Sequence, residues 1–449
     1  MKLFGTDGIR GRVNEYPLTP ETIVRVAMAA AQVLLKKARY RRVLIGKDTR
    51  LSGYMIETAL TSGFTSMGLD VYLVGPMPTP AIAYLTRTMR MDAGVVVSAS
   101  HNPFEDNGIK FFGPDGFKLP DETEKEIESL VATDRLKIKM PTAEKVGKAH
   151  RIEDAAGRYI EFVKSVIPKG FTLDGLKIVV DCANGAAYRI MPTVLEELGA
   201  EVYRIGCSPD GTNINRHCGS TDTTALKEEV LRVGADIGIA HDGDADRAVF
   251  VDEKGGLVDG DMVLALWAKE MKKQGTLKGN TVVATVMTNL GIERYLNDRG
   301  IKLLRTKVGD RYVVEEMLKG GYNLGGEQSG HIIFFDHQST GDGPVTAMKM
   351  LYLLKQKGRP LSELVSDIFV YPQVLENVRV KDKSVIESPA VKETIKKAEK
   401  HLDGRGRVLV RPSGTEPKIR IMVEGVDYEE CQGIAKEIAK KIRSVERQR

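Results

Sequence analysis

The chain has 449 residues, of which 42% are hydrophobic and 28% charged, and its formal net charge is +5. That length exceeds what one hydrophobic core organises, so roughly two to four domains are expected. The near-balanced charge argues against a nucleic-acid-binding surface, and without a run of about 18 apolar residues no membrane span is expected.

Taken in chain order, the opening Met1-Lys2-Leu3-Phe4-Gly5-Thr6 lacks the apolar core of a secretory leader, which makes the cytoplasm the expected compartment. The basic cluster Lys36-Lys37-Ala38-Arg39-Tyr40-Arg41-Arg42 reads as the end of a helix, where cations complement the dipole. Three segments then read alike. They start on the β-branched runs Val43-Leu44-Ile45-Gly46, Ile178-Val179-Val180-Asp181 and Val282-Val283-Ala284-Thr285. Each continues through a turn and an amphipathic helix to a glycine (Gly68, Gly199, Gly300) and a second strand. The glycine suits the position after a helix end, which needs φ > 0.

Strand, helix and strand, repeated three times, predict an α/β fold of three similar mixed domains. Beyond Tyr371-Pro372 the pattern changes to a strand over 374–380, a helix over 388–402, strands over 407–411 and 419–424, and a helix over 428–443. This order predicts a smaller C-terminal α+β domain with an antiparallel sheet. The expected domains are 1–150, 151–253, 254–368 and 369–449. Cys182, Cys207, Cys218 and Cys431 form no CxxC pair, and Cys207 with His217-Cys218 fits no zinc spacing, so reduced thiols are expected.

Four short segments carry chemistry. In Asp242-Gly243-Asp244-Ala245-Asp246-Arg247, carboxylates at alternate positions of a turn converge, which suits a hard divalent cation. An EF-hand loop is excluded, because Arg247 stands where that loop needs glycine and Ala248, Val249, Phe250 and Val251 read as a buried strand. In Ser98-Ala99-Ser100-His101-Asn102-Pro103 a strand delivers small hydroxyls into a turn, a place for a serine that holds a phosphoryl group. Lys110 follows near enough to fold back over Ser100 and, with a depressed pKa, to move a proton. Gly325-Gly326-Glu327-Gln328-Ser329-Gly330-His331 offers polar groups suited to sugar hydroxyls. Arg411-Pro412-Ser413-Gly414-Thr415-Glu416-Pro417, with Arg420 beyond it, has the makings of an anion cradle. No Walker A or dinucleotide fingerprint is present.

In this order the four segments, with Phe4-Gly5-Thr6-Asp7-Gly8-Ile9-Arg10-Gly11, resemble the α-D-phosphohexomutase family over nearly the whole chain. The resemblance implies four domains around a central cleft, each supplying one loop. It implies a phosphorylated Ser100 and Mg²⁺ held by Asp242, Asp244, Asp246 and the serine phosphate. It also implies Lys110 as general acid/base, with His101, Arg247 and Arg10 at the reaction centre. Glu327 and Ser329 then bind the sugar, and Arg411, Ser413, Gly414, Thr415 and Arg420 the non-reacting phosphate.

Asn213-Ile214-Asn215, Cys218-Gly219-Ser220, Lys307-Val308-Gly309-Asp310-Arg311-Tyr312 and Gln328 are similar to members acting on glucosamine phosphate. The implied reaction interconverts glucosamine 6-phosphate and glucosamine 1-phosphate through a bound bisphosphate. Phosphomannomutase/phosphoglucomutase activity is the alternative, then a metal-dependent sugar phosphatase. A non-catalytic sugar-phosphate sensor fits poorly with an intact Ser100, Lys110 and aspartate triplet. Gln328 and Asp310 are the polar candidates for reading an ammonium at C2. No nucleic-acid or membrane partner is implied, and a homodimer is compatible with the resemblance.

Overall fold

The computed structural model describes residues 3–5, 7–132, 140–413 and 417–447. They form two compact units, Met1–Met287 with Leu303–Asp367, and Thr288–Lys302 with Ile368–Arg449.

The larger unit holds three sheets. The first contains β1 (Ile9–Arg12), β2 (Arg42–Lys47), β3 (Asp70–Pro76), β4 (Ala93–Val97), β5 (Asp106–Phe112) and β6 (Ala149–Arg151), in the order β1-β5-β4-β2-β3-β6. The second contains β7 (Lys177–Asp181), β8 (Glu201–Ile205), β9 (Ile237–His241), β10 (Ala248–Asp252) and β11 (Leu257–Val258), in the order β11-β10-β9-β7-β8. The third contains β12 (Thr281–Thr285), β13 (Lys302–Thr306), β14 (Leu324–Gly326) and β15 (Ile332–Phe334), in the order β13-β12-β14-β15.

One wiring recurs in all three sheets. The predicted opening strands are β2, β7 and β12, and the closing strands β3, β8 and β13 lie beside them. Gly68, Gly199 and Gly300 between them have φ of 82°, 90° and 64°, as the turn out of a helix requires. On its other side each opening strand pairs in parallel with β4, β9 or β14. That strand then folds back as an antiparallel hairpin into β5, β10 or β15. The sequence repeat is therefore a structural repeat, and the hairpin loop occupies the same place in each.

These strands are buried because their sequences are nearly all apolar: Val95, Val96 and Val97 on β4 and Phe250 and Val251 on β10 are fully enclosed. β10 covers the residues that ruled out an EF-hand. The basic cluster lies just past the helix Pro20–Leu34, not in its last turn, and runs into β2.

The smaller unit contains β16 (Gln373–Arg379), β17 (Gly406–Pro412) and β18 (Lys418–Gly425), antiparallel in the order β16-β18-β17. Two helices, Pro389–Leu402 and Tyr428–Arg447, accompany the sheet. The second buries Cys431, Ile434, Ala435, Ile438, Ala439 and Ile442, the spacing of one helical face. They pack with Val378, Ile419, Ile421 and Val423, so truncating Ile438 to alanine costs about 2–5 kcal/mol. Among the described residues no helix is long and apolar enough to cross a membrane.

Candidate active site

The three equivalent hairpin loops carry three of the four sequence motifs. The loop after β4 carries Ser100, the loop between β9 and β10 carries Asp242, Asp244, Asp246 and Arg247, and the loop between β14 and β15 carries Glu327 and Ser329. Because β5 returns antiparallel to β4, pairing Val96 with Lys110, the lysine comes back beside the serine.

Ser100 is buried and takes a left-handed φ of 54°. Its Oγ donates to Asp242 Oδ2 at 2.6 Å and lies 3.3 Å from His101 Nδ1. Two donors hold its backbone from opposite loops. Arg50 Nη2 donates to the carbonyls of Ser100 (3.1 Å) and Asn102 (2.6 Å), and Asn215 Nδ2 donates to the same two oxygens at 2.9 and 3.0 Å. Arg50 is itself fully buried and paired with Asp48, whose Oδ2 also accepts the Ser98 hydroxyl.

The aspartate loop packs directly on this serine. A Cβ on Gly243 would stand 2.6 Å from the Ser100 carbonyl oxygen, so only glycine allows the approach. Ala245 holds φ 54° in the same turn, where its amide donates to the Asp242 carbonyl at 3.0 Å. The ligand oxygens of Asp242, Asp244 and Asp246 lie within 4.8 Å of one another, and all three residues are buried. Asp244 Oδ2 accepts from Thr79 Oγ1 at 2.6 Å and from Lys110 Nζ at 2.9 Å. Its Oδ1 is buried with no hydrogen-bond partner. An orphan carboxylate oxygen beside two more carboxylates fits a hard cation. The cluster can hold a metal ion.

Charge is compensated at close range. Lys110 Nζ lies 3.1 Å from Asp7 Oδ2 and 3.7 Å from Asp246 Oδ2, besides its bond to Asp244. Burial opposes its charge, but these carboxylates outweigh it and raise its pKa above the ordinary value. A lowered pKa is the condition for Lys110 to move a proton, but Asp244, Asp246 and the half-buried Asp7 hold that proton more tightly instead.

Burial and the neighbouring Asp246 and Asp244 raise Asp242 well above the usual carboxylate range. Asp246 moves the other way, because His331 and Lys110 outweigh its burial. His101 is lowered to about 4 by burial and by the cations of Arg247 and Arg10. Arg247 Nε stands 3.9 Å from Asp242 and 3.7 Å from Asp246, and Arg10 pairs with Asp7. The Nε groups of both arginines are buried without an acceptor.

In the loop between β14 and β15, Glu327 Oε1 accepts from the Gly309 amide at 3.2 Å, and Ser329 Oγ is buried without a partner. Gln328 Nε2 donates to Asp259 Oδ2 at 3.2 Å, which ties it to the start of the helix Gly260–Lys273. Asp310 is not available to a substrate ammonium on equal terms, because Lys118 already bridges it to Asp7. His331, a member of the motif given no role above, spans Asp246 (3.5 Å) and Asp310 (3.6 Å).

Of the C-terminal motif, Arg411 on β17 faces Arg420 on β18 as a register pair. Burial, then the like charge of Arg420, lowers the Arg411 pKa. The Ser413 amide donates to the Lys418 carbonyl at 2.9 Å, and its own carbonyl accepts from Lys383 Nζ at 2.6 Å. Gly414 and Thr415 lie outside the described residues.

Asp48, Arg50, Thr79 and Lys118 were not singled out in the sequence, and Asn215 stood there only as part of the Asn213-Ile214-Asn215 run, with no role. The partners of Thr79 and Asn215 lie 165 and 115 residues away, so no local spacing announces them.

Family models of phosphoglucomutase/phosphomannomutase match the chain in four consecutive pieces. These are α/β/α domain I over 1–137, domain II over 157–256, domain III over 259–371 and the C-terminal domain over 375–441. The chain belongs to this family, the α-D-phosphohexomutases.

More particularly, it is 56% identical over 446 residues to the phosphoglucosamine mutase of Thermodesulfovibrio yellowstonii, which covers 98% of each chain. It is also 56% identical over 439 residues to that of a Geobacter species, covering 98% of this chain and 97% of the relative. In fold it is similar to a phosphoglucomutase/phosphomannomutase family protein of Burkholderia thailandensis, with TM-score 0.82, 23% identity and 99% and 97% of the two chains covered. It is similar also to the Aspergillus fumigatus N-acetylphosphoglucosamine mutase solved with GlcNAc-6P and magnesium, with TM-score 0.69, 17% identity and 99% and 96% covered.

Proposed function

We propose that this chain is a phosphoglucosamine mutase, an isomerase that interconverts glucosamine 6-phosphate and glucosamine 1-phosphate by way of a phosphorylated Ser100. The observation that carries the mechanism is Ser100 Oγ bonded to Asp242 among buried charges, with two arginine Nε groups beside them that lack acceptors. The 56% identity to curated phosphoglucosamine mutases supports the substrate.

Asp242, Asp244, Asp246 and an oxygen of the phosphorylated serine would hold Mg²⁺, which supplies charge neutralisation on the transferring phosphoryl group. Arg247 and Arg10 offer their Nε donors to phosphoryl oxygens, where charge-assisted bonds are strongest. Lys110 acts as a fixed ammonium and donor, and the neutral His101 imidazole accepts the proton of the attacking sugar hydroxyl. The Ser100 O–P bond breaks as the sugar O–P bond forms, and the proton taken by His101 passes to Ser100 Oγ, 3.3 Å from its Nδ1, giving a hexosamine bisphosphate and a serine hydroxyl. That intermediate then returns its other phosphoryl to Ser100. Once dephosphorylated, Ser100 gives its hydrogen to Asp242 Oδ2, leaving its lone pairs for phosphorus.

Glu327 and Ser329 bind the sugar. Arg411, Ser413 and Arg420, with Gly414 and Thr415, take the phosphate that is not reacting. The roles divide as phosphoserine (1–150), metal (151–253), sugar (254–368) and distal phosphate (369–449), and the enzyme works in the cytoplasm.

The test is kcat/KM for glucosamine, N-acetylglucosamine, glucose and mannose phosphates with a catalytic amount of hexosamine bisphosphate, with inorganic phosphate release followed in parallel. Glucosamine phosphate should lead. A clear lead for glucose or mannose phosphate removes the substrate, and phosphate release in place of isomer removes the mutase.

A further inference from the structure

Two cysteines with no part in this chemistry meet at the ends of neighbouring strands. β7 and β8 run parallel, with Asp181 opposite Ile205. Just beyond that pair, the Cys182 amide and the Cys207 thiol both donate to the Ile205 carbonyl, each at 3.2 Å. Burial raises the Cys182 thiol pKa, and the neighbouring Cys182 lowers that of Cys207. Cys182 is buried, whereas Cys207 is partly exposed.

The loop that Cys182 begins supports both reactive loops. Ala183 and Asn184 are consecutive non-glycine residues at φ 54° and 48°, a backbone that persists only where its surroundings hold it. The Ala183 carbonyl accepts the Asn215 amide at 2.9 Å, and Asn215 in turn grips the carbonyls of Ser100 and Asn102. The Ala186 amide donates to the Gly243 carbonyl at 2.8 Å, inside the aspartate loop. A Cβ on Gly185 would stand 2.3 Å from that same oxygen, so the two loops are in backbone contact.

We propose that Cys182 and Cys207 are an oxidisable dithiol, and that closing a disulfide between them shifts the 183–186 loop and slows the reaction at Ser100. The effect on turnover rests on the mutase reading; formation of the disulfide does not. A hydroperoxide is the oxidant. The Cys207 sulfur attacks one peroxide oxygen and the O–O bond breaks, leaving a sulfenic acid and water. The Cys182 sulfur then displaces hydroxide from Cys207, the thiol proton leaves with it as a second water, and the S–S bond forms. Two thiols and one hydrogen peroxide thus give one disulfide and two waters. Cys207 is the entry point because it is partly exposed and because the neighbouring Cys182 lowers its pKa, which favours the thiolate.

The experiment treats the full chain with hydrogen peroxide, maps peptides under non-reducing conditions, and assays turnover before oxidation, after it and after dithiothreitol. The expected result is a Cys182–Cys207 linked peptide. Turnover should drop about tenfold, as a small displacement at a reacting centre produces, and return on reduction. C207S should keep its untreated rate, form no link and resist peroxide; C182A serves as the second variant should either fold poorly. Accumulation of Cys207 sulfinic acid without the link overturns the dithiol. A link that leaves turnover unchanged overturns the coupling. An untreated enzyme without mutase activity overturns the functional reading, while the peptide map still decides the disulfide.

Discussion

Around Ser100 unlike charges face one another at short range, whereas on β17 and β18 two like charges do. The buried Lys110 reaches the buried Asp244 at 2.9 Å and the half-buried Asp7 at 3.1 Å. Arg411 and Arg420 are cross-strand partners whose repulsion is one cause of the lowered Arg411 pKa. The first region has its electrostatics arranged in advance, as phosphoryl transfer demands, since reorganising buried charges during the reaction would be costly. On the proposed reading the second takes the non-reacting phosphate, whose charge-assisted bonds form when substrate binds. One region should therefore govern turnover, and the other affinity.

The sharpest way to break that contrast is Ser100→Ala, which removes the acceptor oxygen. Turnover should fall by more than about a thousandfold, as loss of a covalent nucleophile does. Intact-mass spectrometry should show a phosphoryl-sized addition on the parent chain that the variant lacks. Near-normal mutase turnover in the variant would end the phosphoserine mechanism.

Asp244→Asn comes next. It removes one of three carboxylates and a main partner of the Lys110 ammonium, so turnover should drop about 10²- to 10³-fold. A Mg²⁺ titration of chelator-treated protein should require more metal. Parent and variant curves that superimpose would detach the metal from this cluster.

Arg411→Ala tests the other side. KM should rise about tenfold with a smaller change in kcat, the pattern of an interaction present in ground and transition states alike. A kcat loss as large as that of Asp244→Asn would erase the distinction between the two regions.

The smallest effect concerns pH. The His101 pKa is lowered from 6.5 to about 4, so between those values the unfolded chain binds the proton more readily than the folded one. The neutral ring's contribution to stability is complete above about 6.5 and is lost as pH falls toward 4. Denaturant midpoints at pH 7 and 4.5 should separate more for the parent than for His101→Gln. Equal separations would mean that the ring is not held neutral by burial beside Arg247 and Arg10.

What was legible in the sequence was what is local. The C-terminal elements were read to within a few residues, because alternation in β16 and β18 and one apolar face in the last helix are properties of short windows. The aspartate triplet was legible because three ligands lie on one turn. The support beneath it was not. Arg50 reads as one more charged residue until the fold encloses it and aims it at two carbonyls, and Thr79 reads as an ordinary start to the helix Thr79–Thr88. The raised Lys110 pKa was not legible for the same reason, since Asp244 comes to it from a distant part of the chain and Asp7 from the opening segment.

The grip of Asn215 on the Ser100 carbonyl also bears on how the protein is made. Synthesis runs from the N-terminus, and early domains begin to fold before late ones exist. The serine loop leaves the ribosome with Arg50 already present, but Asn215 lies 115 residues behind it. For that interval the loop has one of its two clamps, and the glycine that packs on its carbonyl, Gly243, is later still. The serine to which the proposed reaction assigns the phosphoryl group is held from both sides only once Asn215 has been made, so a chain cut short before it should lack that clamp and be inactive.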